Sequence, residues 1–278
     1  MSNKNINKII KKKKLGLFIV AKSSSKRLRN KIESKISGYS LLEILIKRLL
    51  NKNFDKKAIV LCTSIKDKKN NFFKKICKKY KIRIYYGSDQ NIFERIINCS
   101  RLFKFNHITR ITGDNPFTDL DDMKKLIKGY FKKDYDYGFM TGVSDGLKSE
   151  IFNIKTLIYC KKNSVDENSS EYLTYFFLRK IFKIYNLKNY DFKRNFLKTS
   201  FTVDYKKDLK KIKKIIIHNN NNIFLNKKNL MNTSLRLGFL TNKKKPKTIK
   251  LVTAKYNVRL NTDLKSTKTI NLKEFSIV

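Results

Sequence analysis

Three short segments of this chain carry residue types able to act on a phosphorylated substrate. Residues 21–31 read AKSSSKRLRNK, with five basic side chains (Lys22, Lys26, Arg27, Arg29, Lys31) around three consecutive hydroxyls, Ser23, Ser24 and Ser25. A polyphosphate needs neutralising charge and short hydrogen-bond donors, and a loop of this composition supplies both. Residues 110–116 read RITGDNP, so Asp114 follows a glycine turn at the end of a strand-like run. A lone carboxylate there suits magnesium, which takes few protein ligands and completes its shell with phosphate oxygens and water. Residues 201–209 read FTVDYKKDL and set a second carboxylate, Asp204, after another apolar run. Two such groups at two strand ends of one sheet could share one or two metal ions. Asp208 falls just inside the next helix, where it complements the helix dipole. Each pattern also has a plainer reading: a solvated loop in a basic chain, and a carboxylate that caps its turn.

Bringing these residues together requires strands whose ends share one edge. Residues 15–21 (LGLFIVA) form an unbroken apolar run, the mark of a strand buried on both faces. Residues 58–63, 82–86 (ending at Gly87) and 107–112 read as further strands. Helical spacing fills the gaps: 41–50, then 70–80 with Phe73, Ile76, Cys77 and Tyr80 on one side. Asp89 or Asn91 caps the next helix, whose stripe is Ile92, Phe93, Ile96, Ile97 and Leu102. Asp119, Asp121 and Asp122 begin another that runs to Phe131. Strand–helix alternation predicts an α/β fold, a mostly parallel sheet covered by helices on both faces, with ligands beyond the carboxyl ends of its strands.

After Phe131 the rhythm loosens. The pattern gives a short strand at 137–140, helices at 154–162 and 171–182, a strand at 201–203 and a helix at 207–218 with Leu209, Ile212, Ile215 and Ile216 inward. Residues 219–222 are four asparagines that break the pattern, Lys243-Lys244-Lys245-Pro246 resembles a solvated linker, and 248–254 reads as a strand. The expected division is a basic, solvated leader at 1–14, a main domain at 15–218 and a C-terminal extension at 219–278.

Lys and Arg total 65 against 22 acidic residues, a formal charge of +43. That balance would attract polyanions. Yet the charge is scattered in doublets and triplets, and the joint abundance of Lys, Asn, Ile, Phe and Tyr with no Trp and two Pro is that of AT-rich codons. Nucleic acid is therefore not the expected partner. Four cysteines without paired spacing and two histidines form no zinc pattern, so reduced core thiols in a cytoplasmic protein are expected. Lys11–Lys14 before the run at 15–21 mimics a secretory signal, but Lys22 follows at once with no small-residue cleavage site, and no run reaches membrane-span length.

With these segments in view, the chain resembles the cytidylyltransferases that make CMP-activated sugars, in particular the spore-coat polysaccharide type, and is more distantly similar to the acylneuraminate and 3-deoxy-manno-octulosonate enzymes. That family's first loop usually reads A-R-x-G-S-x-R-L-P-G-K, and residues 21–31 align without a gap. The likeness continues through Leu41-Leu42-Glu43, Thr63-Ser64, and Gly87-Ser88-Asp89 with Phe93 and Arg95. Arg110-Ile111-Thr112-Gly113-Asp114 with Pro116 is its most specific piece. Downstream stand Gly146 with Glu150-Ile151-Phe152, Glu171-Tyr172-Leu173-Thr174, and Thr202-Val203-Asp204 with Asp208-Leu209.

The resemblance implies a three-layer αβα sandwich of the nucleotide-diphospho-sugar transferase type, CTP as co-substrate, magnesium, a homodimer, and pyrophosphate as by-product. It assigns Arg27, Lys31 and Lys22 to the phosphates and the developing transition-state charge. Ala21, Ser23, Ser24, Ser25, Ser88, Arg95 and Arg110 would border the nucleotide, Asp114 and Asp204 would hold the metal, and Glu150, Glu171 and Tyr172 would face the acceptor. The implied activity is transfer of CMP from CTP to a sugar acid or sugar-like acceptor for surface polysaccharide or glycan synthesis.

The chain departs from the pattern at Lys22 (for Arg), Ser24 (for Gly), Arg29-Asn30 (for Pro-Gly), Tyr172 (for His) and Tyr205-Lys206-Lys207 (for Thr-Pro-Glu). A weakly active or inactive member is the alternative those departures raise. A sugar-1-phosphate transferase using UTP or GTP is disfavoured by the lack of glycine between Ala21 and Lys31, and a nucleic-acid binder by the lack of any recognition signature.

Overall fold

The computed structural model describes residues 3–24, 28, 30–162, 177, 182–189 and 199–239, together with the backbone of two strands at 247–250 and 257–260. In chain order the described elements begin with α1 (Asn3–Lys12), β1 (Leu15–Val20), the two-residue strands β2 (Lys35–Ile36) and β3 (Tyr39–Ser40), α2 (Leu41–Asn51), β4 (Ile59–Ser64), α3 (Asn71–Tyr80) and β5 (Arg83–Gly87). They continue with α4 (Ile92–Leu102), β6 (His107–Thr112), α5 (Leu120–Tyr130), β7 (Tyr137–Thr141), β8 (Glu150–Asn153), α6 (Ile154–Lys162), β9 (Ile184–Lys188), α7 (Lys206–His218), α8 (Lys227–Arg236), β10 (Lys247–Lys250) and β11 (Asn257–Leu260).

Every residue of β1 is buried because the strand lies inside the sheet with helices on both faces. Its side chains alternate, so Leu15, Leu17 and Ile19 enter one core and Phe18 and Val20 the other. The first core is closed by α1, α2, α3, α5, α7 and α8; the second by α4 and α6. That is the expected three-layer αβα sandwich. The seven strands run in the order β5-β4-β1-β6-β8-β7-β9. Pairing is parallel except around β8, which runs against both β6 and β7.

Local chemistry explains the helix starts. Ser40 and Glu43 form a reciprocal capping box at α2. Asn91, and not Asp89, caps α4 by accepting from the Glu94 amide at 3.0 Å. Asp119 accepts from the amides of Asp121 and Asp122 at α5.

Four sequence expectations change. Of the segment 1–14, the described residues 3–14 are no solvated leader: α1 is an amphipathic helix whose Ile6 and Ile10 are 1% and 3% exposed. Residues 201–203 are not a strand but a loop held by its neighbours. Residues 219–239 continue the main core, since Ile223, Leu225 and Leu230 join the same cluster as β1. Strands β8 and β9 and helix α8 were not read from the sequence. The helix expected at 171–182 lies, apart from Phe177 and Phe182, outside the described residues. Phe177 is buried and stacks on Tyr137 and Phe152, with ring centroids 4.7 and 5.0 Å apart. Residues 247–250 begin the strand expected at 248–254, and 251–254 lie outside the described residues. Among the described residues no helix is long and apolar enough to cross a membrane.

The buried face of α1 yields a stability prediction. Ile6→Ala should cost about 2–4 kcal/mol in urea unfolding, the range for truncating a buried isoleucine. A loss near zero would restore the solvated leader.

Candidate functional site

The sheet order dictates where its loops converge. From β1 the chain winds outward through β4 to β5, then returns to place β6 on the other side of β1. The strand order therefore reverses between β1 and β6, and loops leaving their carboxyl ends part to form a crevice. The first loop leaves β1 and the GDNP turn leaves β6, so two of the three sequence-marked segments meet at this point. Contact there is close. A Cβ on Gly113 would sit 2.7 Å from the Cβ of Ala21, so glycine lets the two loops touch. The Gly113 amide donates to Val20 O at 2.9 Å.

The third segment arrives as a loop. The Val203 amide donates to Asp114 O at 3.0 Å and the Phe201 amide to Asp145 O at 2.7 Å, so 201–203 is laced between the GDNP turn and the 142–149 loop. Gly146, at φ +87°, permits this approach, because a side chain there would run into the backbone of Phe201 and Thr202. Asp208 then fixes the next residue: its Oδ2 accepts from the amides of Asp204 (3.1 Å) and Tyr205 (2.9 Å) at the start of α7.

Among the described residues, three side chains meet here. Lys31 Nζ lies 2.6 Å from Asp114 Oδ2 and 3.2 Å from Asp204 Oδ1. The lysine side chain is 8% exposed and the carboxylates about a fifth, so a partly desolvated ammonium bridges two acids that are 90 residues apart in sequence (204 − 114). Asn30, just before Lys31, adopts the left-handed region at φ 51° and ψ 26°. Asparagine tolerates that conformation better than most residues, which accounts for a turn without the family's glycine. Ser24 is exposed and has no positive φ, so its backbone conformation does not call for a glycine.

Other expected residues take more structural positions. Ser23 donates its amide to Asp67 at 3.2 Å and its hydroxyl to the same carboxylate, whose other oxygen accepts from Thr63 Oγ1 at 2.5 Å. Asp67 is 2% exposed and pins the first loop to the end of β4. Arg95 is also 2% exposed; its guanidinium donates to Ser88 O at 2.7 Å and Asp89 O at 3.0 Å, so it shapes the loop after β5 from beneath. Ser88 Oγ accepts from the Asn91 amide at 3.1 Å. Asp89 receives Ser64 Oγ at 2.6 Å and Lys66 Nζ at 2.8 Å. Its carboxyl is held below the usual carboxylate range by Lys66 and Ser64, with a smaller push from Lys22. Arg110 and Glu150, opposite each other on β6 and β8, form an ion pair, and Tyr137 Oη donates to Glu150 at 2.6 Å. Ser25, Lys26, Arg27, Arg29, Glu171 and Tyr172 lie outside the described residues.

Two supporting residues escaped sequence reading. Asp67 carries a usable signal, since Ser64-Ile65-Lys66-Asp67 has the hydroxyl–x–x–acid spacing of a capping sequence directly after a strand. Arg48 carries a weaker one, the second of two adjacent cations (Lys47-Arg48) in the largely apolar run LLEILIKRLL. Its buried guanidinium donates to Pro116 O (2.8 Å), Thr118 O (3.1 Å) and Leu225 O (2.9 Å), which clamps the chain behind Asp114 to the C-terminal segment. Burial pushes it down to about 10, opposed by Asp119 and Asp121, so it stays charged at neutral pH.

Chemically, the cluster presents two carboxylates that already meet at one cation, beside a basic, hydroxyl-rich loop. Among the described residues no group of three or more His, Cys, Asp and Glu side chains forms a metal cluster. Two oxygen donors fit magnesium, which uses one or two carboxylates and fills its remaining positions with phosphate oxygens and water.

Comparison with known proteins points the same way. A family model described as Cytidylyltransferase matches residues 17–230. An uncharacterised protein of Methanocaldococcus jannaschii, MJ1063, is 32% identical over 197 residues, 69% of this chain and 79% of that protein. The spore coat polysaccharide biosynthesis protein SpsF of Bacillus subtilis is 27% identical over 204 residues, 71% of this chain and 84% of that protein. Among solved structures, a cytidylyltransferase from Leptospira borgpetersenii superposes with a TM-score of 0.73 at 19% identity, covering 84% of this chain and 98% of its own. A CMP:2-keto-3-deoxy-manno-octonic acid synthetase complexed with CTP gives 0.57 at 11% identity, covering 74% and 99%. At these identities the structural matches speak for the fold.

The Asp67 anchor makes a prediction independent of any activity. Asp67→Ala leaves the Ser23 amide and hydroxyl and the Thr63 hydroxyl without their acceptor, and should cost about 1–3 kcal/mol. Hydrogen exchange at the Ser23 amide should quicken by more than at β1; unchanged exchange there would show that the anchor does not hold the loop.

Proposed function

The chain belongs to the cytidylyltransferase family and is a nucleotidyltransferase; from that premise we propose that it transfers CMP from CTP to a sugar acid or sugar-like acceptor, releasing pyrophosphate. The observation that carries this reading is the convergence of Lys31, Asp114 and Asp204 at the switch point between β1 and β6. SpsF, named for spore coat polysaccharide biosynthesis, supports surface polysaccharide or glycan synthesis as the setting.

In the proposed reaction an acceptor oxygen attacks the α-phosphorus of CTP. A new oxygen–phosphorus bond forms as the α–β bridging bond breaks, and the electron pair leaves with pyrophosphate. The acceptor's proton, where it carries one, passes to solvent. Positive charge near the phosphates is what this step needs, since charge builds on the non-bridging and leaving oxygens. Lys22 and Arg27 of the first loop and Lys31 are proposed to supply it, with Ser25 adding a hydrogen bond. Asp114 and Asp204 would hold magnesium, which when bound neutralises phosphate charge and orients the reacting groups.

Ala21, Ser23 and Ser24 frame the mouth of the crevice; Asp67 holds Ser23 in place. Ser88 and Arg95 act on the nucleotide side through the loop they shape, with Arg95 as a positioning residue because its guanidinium is turned into the protein. The Arg110–Glu150 pair ties the neighbouring strands β6 and β8, and Glu150 is proposed to lie on the acceptor side. Glu171 and Tyr172 are proposed as acceptor contacts, and a cytoplasmic homodimer as the working form.

Pyrophosphate release from CTP with magnesium, measured against a panel of sugar acids and sugar-like alcohols, tests this reading. Release should require one acceptor class, favour CTP over UTP and GTP, and fall at least about a hundredfold in Asp114→Ala, the scale of losing one group that stabilises transition-state charge. A protein that neither binds CTP nor releases pyrophosphate would overturn it.

A further inference from the structure

Lys31 sits at the point where one oxygen of Asp114 and one of Asp204 converge. Its Nζ lies within hydrogen-bond distance of one oxygen from each carboxylate, at 2.6 and 3.2 Å. Magnesium demands carboxylate oxygens at about 2.0–2.1 Å and brings its own waters. An ammonium holding the same oxygens therefore competes for the same point, and a divalent ion beside it would meet a like charge in a partly desolvated crevice.

The lysine is also built to move without disturbing the loop. Its backbone is fixed by the left-handed Asn30 and by its own amide, which donates to Leu28 O at 3.3 Å. Its four-carbon stem can still swing the charged head to a new anion. A triphosphate arriving from the first loop provides such an anion.

We propose that Lys31 is a resident counter-ion that divalent metal must displace, so that metal enters the site together with the nucleotide and not ahead of it. This rests on the reading that Asp114 and Asp204 are the metal ligands. In the free site the lysine offsets part of the negative charge of the two carboxylates. When nucleotide phosphates draw the ammonium away, the two carboxylates are released to the metal, and the two ligands strengthen each other's binding by the same factor.

Manganese(II) is the probe, followed by electron paramagnetic resonance on the full-length protein without nucleotide. Wild type should bind it weakly. Lys31→Met, which keeps the stem and removes the charge, should bind it roughly tenfold more tightly or better, and Lys31→Gln should do the same if the methionine variant does not fold. Lys31→Arg should stay as weak as wild type. Adding CTP should tighten manganese binding in wild type by a factor on the order of ten, and by clearly less in Lys31→Met.

Equal manganese affinity in wild type and both neutral variants would overturn the proposal. So would a gain that survives addition of Asp114→Asn, because the metal would then lie elsewhere. Tighter binding by Lys31→Met in a protein that never releases pyrophosphate from CTP would uphold the counter-ion role and remove the proposed reaction. Unchanged binding in a protein that does release it would do the reverse.

Discussion

A single ammonium group ties together three parts of this chain that have no local reason to be near one another. Lys31 follows β1, Asp114 follows β6 and Asp204 precedes α7, and their side chains meet at a partly buried point, the ammonium 8% and the carboxylates about a fifth exposed. Two carboxylates this close would repel without a cation between them. The surrounding loops are organised so that this meeting is retained. The Val203 amide is bonded to Asp114 O, Asp208 fixes the backbone at Asp204, and Arg48 grips the carbonyls of Pro116 and Thr118 from below. The acids are thus placed by backbone contacts, and the lysine offsets part of their charge.

The same economy of placement shows in the loops around the crevice. Charged residues that sequence alone would send to a ligand are often the ones holding backbone in place. Arg95 turns inward to bind two carbonyls of its own loop, and Arg110 pairs with Glu150 across neighbouring strands. A buried guanidinium needs several fixed acceptors to offset its desolvation, and carbonyls at a strand end supply them. Asp67 does the reverse, collecting donors from Ser23 and Thr63 so that the first loop leaves β1 in one direction. These are the interactions that give a basic, hydroxyl-rich loop a definite path.

The departures from the family pattern acquire physical content in this setting. Asn30 adopts the left-handed conformation that the family's glycine would supply, so the turn into Lys31 survives the change. Two of the glycines that remain allow close approach between loops: Gly113 against Ala21, and Gly146 against the backbone of Phe201 and Thr202. Lysine at 22 keeps the positive charge while giving up the planar fork of arginine, and it lies close enough to Asp89 to act on that carboxyl.

What the sequence determined by itself was whatever rests on local pattern. The runs at 15–21, 58–63, 82–86 and 107–112 gave strands within a residue or so of their observed ends; β1 and β4 are legible because a strand buried on both faces is apolar throughout, and β5 and β6 because short β-branched and aromatic runs end at glycine turns. The turn Gly113-Asp114 and the acid at 204 were legible for the same reason: each is polar punctuation directly after such a run. Tertiary structure decided the rest. The apolar stripe Ile6, Ile9 and Ile10 of α1 stands at helical spacing in the sequence, and only the surface it packs against was set by the tertiary structure. Residues 201–203 read as a strand because Phe201 and Val203 are buried, yet their hydrogen bonds go to two loops and not to a sheet ladder. The bridge from Lys31 to both carboxylates, like the inward turns of Arg95 and Arg110, joins charges across the fold. A charge's partner is set by distance in space, and distance in space is what a linear sequence leaves open.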